Sequence, residues 1–245
     1  MFRYILSSPQ ILLTLAIAST SCQFVPSSLN EPSAQTSDTD CGRLRKLLRI
    51  ASGGAVDAYE DDYASFIRSE TRFKEFDHIP MDELVAIRAY THRFWKDLNA
   101  ALWNNTLASL PEIDRVVLDC AVAGLQKMAP YDQPVFRQTN LTSEVVDRHN
   151  AGKSIPYPAF TSTTTDPKVL EKFPGNTRFT ISNAGGYEIA WLSEHAEESE
   201  VLIPPKRCFE VISRTPSVCP PGVLAPCWHI EMKGSSLDDC KSSQP

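Results

Sequence analysis

The chain changes its hydrophobic rhythm once, near Pro134, and that change limits the class of fold open to it. Before it, Leu84, Ile87, Phe94, Leu98 and Leu102, with Thr91 between them, trace one stripe at helical spacing. Glu60-Asp61-Asp62 opens a further helix, its acidic first turn suited to the helix dipole. Ser109-x-x-Glu112 reads as a capping box ahead of Ile113, Val117, Cys120 and Gly124 on one face. After Pro134 the pattern becomes short β-rich runs punctuated by turn residues, at 134–138, 159–163, 177–182, 199–203, 208–214 and 226–233. Helices first and strands afterwards predict an α+β fold, not an alternating parallel one.

Two hundred and forty-five residues suffice for one domain with a real core, placed here at 41–240. A net charge of −6 argues against a general nucleic-acid binder. The N-terminus carries Arg3, then the apolar run Ile11 to Ala18, too short to span a bilayer, then small residues. This predicts a signal peptide over 1–22 and a secreted protein. Cys22 offers a lipid attachment point and so a surface anchor, although Ser19 stands where that signal wants a large aliphatic residue. A membrane partner is expected only through that lipid. Residues 23–40, rich in Ser, Pro, Thr and Asp, read as a flexible leader.

Removing or lipidating Cys22 leaves six cysteines, an even set that fits secretion. Pairing does not follow from sequence. Cys41 with Cys240 would tie the two ends together, and Cys120, on a helix, best fits a buried free thiol. No pair has zinc-site spacing, and no glycine-rich phosphate loop or Gly-x-Ser-x-Gly elbow occurs. A metal is therefore not expected.

Chemistry concentrates in three segments. Glu198 and Glu200 stand one residue apart at the head of the run Val201-Leu202-Ile203, which Pro204-Pro205 stops. On a strand both would project from the same face, an arrangement that like charges disfavour unless something cationic is to be met. Upstream, Val135-Phe136-Arg137-Gln138-Thr139 is a β-rich segment with one Arg. Ala159-Phe160-Thr161-Ser162-Thr163-Thr164-Thr165 is a strand ending in hydroxyls. Each alone is ordinary: a surface arginine, a hydroxyl-rich strand end, an acidic strand end.

In that order they resemble the mono-ADP-ribosyltransferases, specifically the arginine-directed branch with its Arg, Ser-Thr-Ser and Glu-x-Glu pattern. The segment from Val85 to Thr91, followed by Asp97 to Leu102, is similar to the helical stretch preceding that family's sheet. The resemblance implies N-terminal helices followed by two packed antiparallel β-sheets clasping NAD as substrate. It implies that Arg137 holds the pyrophosphate, a task suited to a planar, permanently charged guanidinium. Ser162 would fix the rotamer of Glu200, with Thr163 and Thr164 supporting it. Glu200 would hold the nicotinamide ribose and stabilise its developing positive charge, as a glycosidase carboxylate does. Glu198 would orient an acceptor arginine and take its proton. Gln138 replaces a common Gly, and Thr164 a common Ser. Phe173 is a candidate stacking residue beside the nucleotide. Trp191 and His195 are candidate acceptor contacts, or else a core tryptophan and a solvated histidine. The implied function is transfer of ADP-ribose from NAD to arginine on an acceptor protein, by a monomer. An NAD glycohydrolase with water as acceptor, or a non-catalytic disulfide-stabilised binding module, are the alternatives.

Overall fold

A computed structural model describes residues 41–51, 60–224 and 226–242. The predicted signal peptide and leader lie outside the described residues.

Helices occupy the first half: α1 Gly42–Ala51, α2 Glu60–Ser69, α3 Met81–Ala89, α4 Trp95–Asn104 and α5 Glu112–Gln126. The predicted stripe lies inward, with Leu84, Ile87, Phe94, Leu98 and Leu102 all buried. A π-helical turn over Tyr90–Phe94 separates α3 from α4. Its extra residue per turn rotates the face, so Tyr90 is buried while Thr91 is only half-buried and hydrogen-bonds its hydroxyl to the Arg88 carbonyl. The expected capping box is not formed. Pro111 is the N-cap of α5, and the Ser109 hydroxyl donates to the Thr106 carbonyl instead. Pro111 forces Leu110 into an extended conformation, which moves Ser109 out of capping position.

The second half contains β1 Val135–Thr139, α6 Ser143–Arg148, β2 Ser154–Tyr157, β3 Thr161–Thr164, β4 Thr177–Ser182, β5 Tyr187–Glu188, β6 Glu200–Ile203, β7 Arg207–Ser217 and β8 Cys227–Ser235. A last helix, α7, spans Leu237–Ser242. All eight strands are hydrogen-bonded in one sheet, in the order β2-β7-β8-β4-β1-β3-β6-β5. This refines the expectation of two antiparallel sheets in two respects. First, β4 and β8 run parallel, which the long excursion through β5, β6 and β7 permits. Second, the halves are joined rather than separate, but only at a narrow seam: β1 and β3 share the single aligned pair Phe136 and Thr164. The sheet folds over at that seam. Val201 and Ile203 of β6 consequently share a core with Val135, Phe179, Ile181, Phe209, Val211, Ile230 and Met232 of the other half. The opposite face of β6, through Leu202, packs into the helical core with Leu84, Ile87 and Leu98.

The cysteines pair as Cys41–Cys120, Cys208–Cys240 and Cys219–Cys227. The end-to-end bond expected between Cys41 and Cys240 is therefore absent, and Cys120 is not a free thiol. Cys41, beside the first turn of α1, meets α5, whereas Cys240 on α7 meets β7. Cys41 is thus fastened to the helices and Cys240 to the sheet. In the chain-entropy picture, closing the 79-residue loop between Cys41 and Cys120 stabilises the fold by about 4.5 kcal/mol.

Candidate active site

The folded seam gathers the three motif segments. Phe136, Arg137 and Gln138 of β1, Ser162, Thr163 and Thr164 of β3, and Phe173 and Glu198 line one open cleft. Glu200 is buried next to it at the head of β6, where it aligns with Thr164.

Arg137 bridges the seam. Its Nη1 donates to the Ser162 carbonyl at 2.6 Å, one of five guanidinium N–H groups. Burial pulls its pKa down, while Tyr157, Tyr90 and Glu200 around it push the other way. A phosphate arriving here would meet a half-buried cation on the cleft wall.

The three hydroxyls of β3 are aimed differently. The Thr163 hydroxyl donates to the Val201 carbonyl at 2.6 Å, and the Thr164 hydroxyl to the Glu198 carbonyl at 2.7 Å. Ser162 instead serves the Glu200 carboxylate, as does Ser193 from the loop before β6, each hydroxyl favouring its charged form. Burial raises the Glu200 pKa above the usual carboxylate range. The two serine hydroxyls oppose that rise, Glu198 adds to it and His195 opposes it.

The two glutamates do not share a strand face, contrary to the period-two expectation. Glu198 ends a 3-10 turn over Ala196–Glu198, and Ser199 takes a left-handed conformation at φ 47° before β6 begins at Glu200. Two bonds hold this kink: Thr164 to the Glu198 carbonyl, and the Thr165 amide to the Ser199 carbonyl at 3.1 Å. The result is a buried carboxylate inside the fold and a half-buried one on the cleft wall. Burial also raises the Glu198 pKa; His195 opposes this, Glu197 reinforces it and Lys172 opposes it.

Phe173 is 40% exposed at the cleft rim, ahead of the turn through Gly175. A Cβ at Gly175 would stand 2.5 Å from the backbone of Thr139, so only glycine lets this turn close on the end of β1. Of the two residues left open between roles, Trp191 is buried and stacked on Phe76 at 4.7 Å, a core residue. His195 stands exposed beside Glu197.

Sequence reasoning gave no role to Tyr90, Tyr157, Ser193 or Arg88. Tyr90 is buried and Tyr157 half-buried; both act on Arg137 electrostatically, and desolvation raises both phenol pKa values. The signal for Tyr90 was present in the helical segment 85–91, but which side chain the π turn would direct inward was not. Among the described residues no cluster of His, Cys, Asp or Glu could hold a metal ion.

A family model described as NAD:arginine ADP-ribosyltransferase matches residues 56–217. Mav of Mycobacterium avium is 34% identical over 145 residues, 56% of this chain and 17% of that protein. The NAD(+)–protein-arginine ADP-ribosyltransferase Tre1 of Serratia proteamaculans is 30% identical over 134 residues, 54% of this chain and 29% of that one. The chain thus spans less than a third of the length of these two relatives. Among solved structures, Exoenzyme S of Pseudomonas aeruginosa, crystallised with carba-NAD and human 14-3-3 protein beta, superposes with a TM-score of 0.61 at 17% identity, over 79% of this chain and 88% of that one. The motif order, the cleft that unites it and the family match lead to one conclusion: the chain belongs to the NAD:arginine ADP-ribosyltransferase family.

Proposed function

We propose that this domain transfers ADP-ribose from NAD to an arginine side chain of an acceptor protein, releasing nicotinamide. The observation that carries the reading is the pairing of two glutamates in different settings, with Ser162 and Arg137 at the same seam. Arg137 receives the pyrophosphate. Glu200 faces the nicotinamide ribose; as the bond from C1′ to the nicotinamide nitrogen breaks, its electron pair leaves with nicotinamide. The carboxylate stabilises the positive charge left on the sugar. An acceptor guanidinium nitrogen then bonds to C1′, and its surplus proton goes to Glu198. The raised pKa of Glu198 suits it to that task, since a stronger base takes the proton more readily.

A secreted life fits the three disulfides, which persist in oxidising compartments, and fits the predicted signal peptide. Surface anchoring through Cys22 is the associated proposal.

The test is incubation of the protein with labelled NAD and agmatine, following nicotinamide release and acceptor labelling together, with Glu200→Gln as control. Labelling lost in the variant supports transfer. Nicotinamide release without labelling would replace it with hydrolysis. Arg137→Ala should weaken NAD binding about ten- to a hundredfold by calorimetry, the scale of a lost charge-assisted hydrogen bond. Unchanged affinity would remove Arg137 from the phosphate site.

A further inference from the structure

We infer that Arg88, in the last turn of α3, is a positioning residue that seats the loop 192–199 and so places Glu198 relative to Glu200. The inference rests on the transferase reading above.

Arg88 Nη1 donates to two successive carbonyls of that loop, Leu192 at 2.9 Å and Ser193 at 3.2 Å. The guanidinium carbon lies over the Phe66 ring, 3.6 Å from its centroid, with the Tyr63 ring centroid at 5.7 Å. An aromatic face beneath and carbonyls at the edge form a geometry for a flat, forked cation that an ammonium cannot reproduce. The following loop residue is held by the same region of the helices. Glu194 faces Arg88 electrostatically, and its carboxylate lies 3.3 Å from His92 Nε2 in the π-helical turn. His92 Nδ1 in turn lies 2.6 Å from the Tyr63 hydroxyl.

What Arg88 fixes reaches both glutamates. The Ser193 amide donates to the Ile189 carbonyl at 2.9 Å, and the Ile189 amide to the Glu200 carbonyl at 3.0 Å, so Ser193 is tied to the head of β6 through one residue. Its hydroxyl oxygen accepts the His195 amide at 3.2 Å, which leaves its single proton for the Glu200 carboxylate. From His195 the turn continues to Glu198, whose amide donates to the His195 carbonyl at 3.0 Å. The loop is thus held on entry by Arg88 and on exit by Thr164. Arg88 is not part of the cleft wall. It acts through the loop, and Glu200 keeps Ser162 if the loop shifts.

The test compares wild type with Arg88→Lys and with Glu194→Gln, an exposed substitution that spares the fold, after circular dichroism confirms folding. Two readouts are taken: the ratio of agmatine labelling to nicotinamide release into water, and hydrogen exchange over 192–199. Arg88→Lys is expected to lower labelling about ten- to a hundredfold, the cost of a misplacement near an ångström, while most hydrolysis persists. Exchange at the Ser193 and His195 amides should quicken. Glu194→Gln should move both readouts the same way by less. Equal loss of labelling and hydrolysis in folded Arg88→Lys would overturn the inference, because Arg88 would then serve the shared step. Exchange unchanged from wild type would overturn it even if the wild-type protein turned over no NAD, an outcome that Glu200→Gln and wild type together reveal as failure of the transferase reading itself.

Discussion

Strand β6 and the turn that feeds it treat two identical side chains in opposite ways. In β6 every residue is buried, with Leu202 turned to the helices and Val201 and Ile203 to the folded-over sheet. Glu200 shares that enclosure, and the hydroxyls of Ser162 and Ser193, with His195, favour its charged form against the burial. Two residues earlier, Glu198 sits in a 3-10 turn with water on one side. On the proposed transferase reading, the contrast lets one short acidic motif supply both a stabiliser for a forming cation and a proton acceptor for an incoming nucleophile. Environment, more than residue type, divides the labour.

The largest effect belongs to Glu200→Gln, expected to cut nicotinamide release and acceptor labelling alike by about a thousandfold, the scale of a lost transition-state electrostatic partner. Its stability behaviour sharpens the point. A carboxyl whose folded pKa is raised destabilises the fold when charged, and stability returns as pH falls through that pKa. At neutral pH the glutamine variant should therefore melt no lower than wild type. Its advantage should shrink as pH falls toward the ordinary carboxylate value near 4.3. A melting point well below wild type at pH 7 would deny that the buried charge is a burden. In the same terms, the acid limb of nicotinamide release should lie above that ordinary value, since the charged form is required.

Glu198→Gln comes next, with labelling lowered about a hundredfold and hydrolysis retained, as befits a general base. Equal loss of both would erase the distinction between the two carboxylates. Ser199→Val places a β-branched residue at φ 47° and should cost about 1–2 kcal/mol, seen as a lower melting temperature and weaker labelling. Thr164→Val, the mildest, removes the hydroxyl bond to the Glu198 carbonyl, worth about 1 kcal/mol. It should reduce labelling more than hydrolysis; an equal reduction would mean that Thr164 does not serve Glu198 selectively.

Much of this architecture is readable in the chain. The stripe through Leu84, Ile87, Leu98 and Leu102, the strand at 177–182 and the order of Arg137, Ser162 and Glu200 follow from periodicity and motif. What escapes has physical reasons. Strand β5 is two residues long, too short for a period to register, and the four residues of β2 include Pro156, which argues against a strand. The kink at Ser199 carries no glycine or asparagine to announce it; long-range bonds from Thr164 and Thr165 impose it. Ser193 and Arg88 meet across more than a hundred residues. Cysteine pairing depends on which layer each element joins, and no local pattern encodes that.

The disulfides have a consequence of covalent topology. Cys41–Cys120 closes one ring, and Cys208–Cys240 closes another that contains Cys219–Cys227. The intervening stretch, 121–207, is crossed by no bond among the described cysteines, yet it carries Arg137, Ser162, Glu198 and Glu200. A single peptide cut inside either ring leaves the protein in one covalent piece until it is reduced. A single cut in the stretch between them yields two separate polypeptides, dividing the motif residues from one ring or the other.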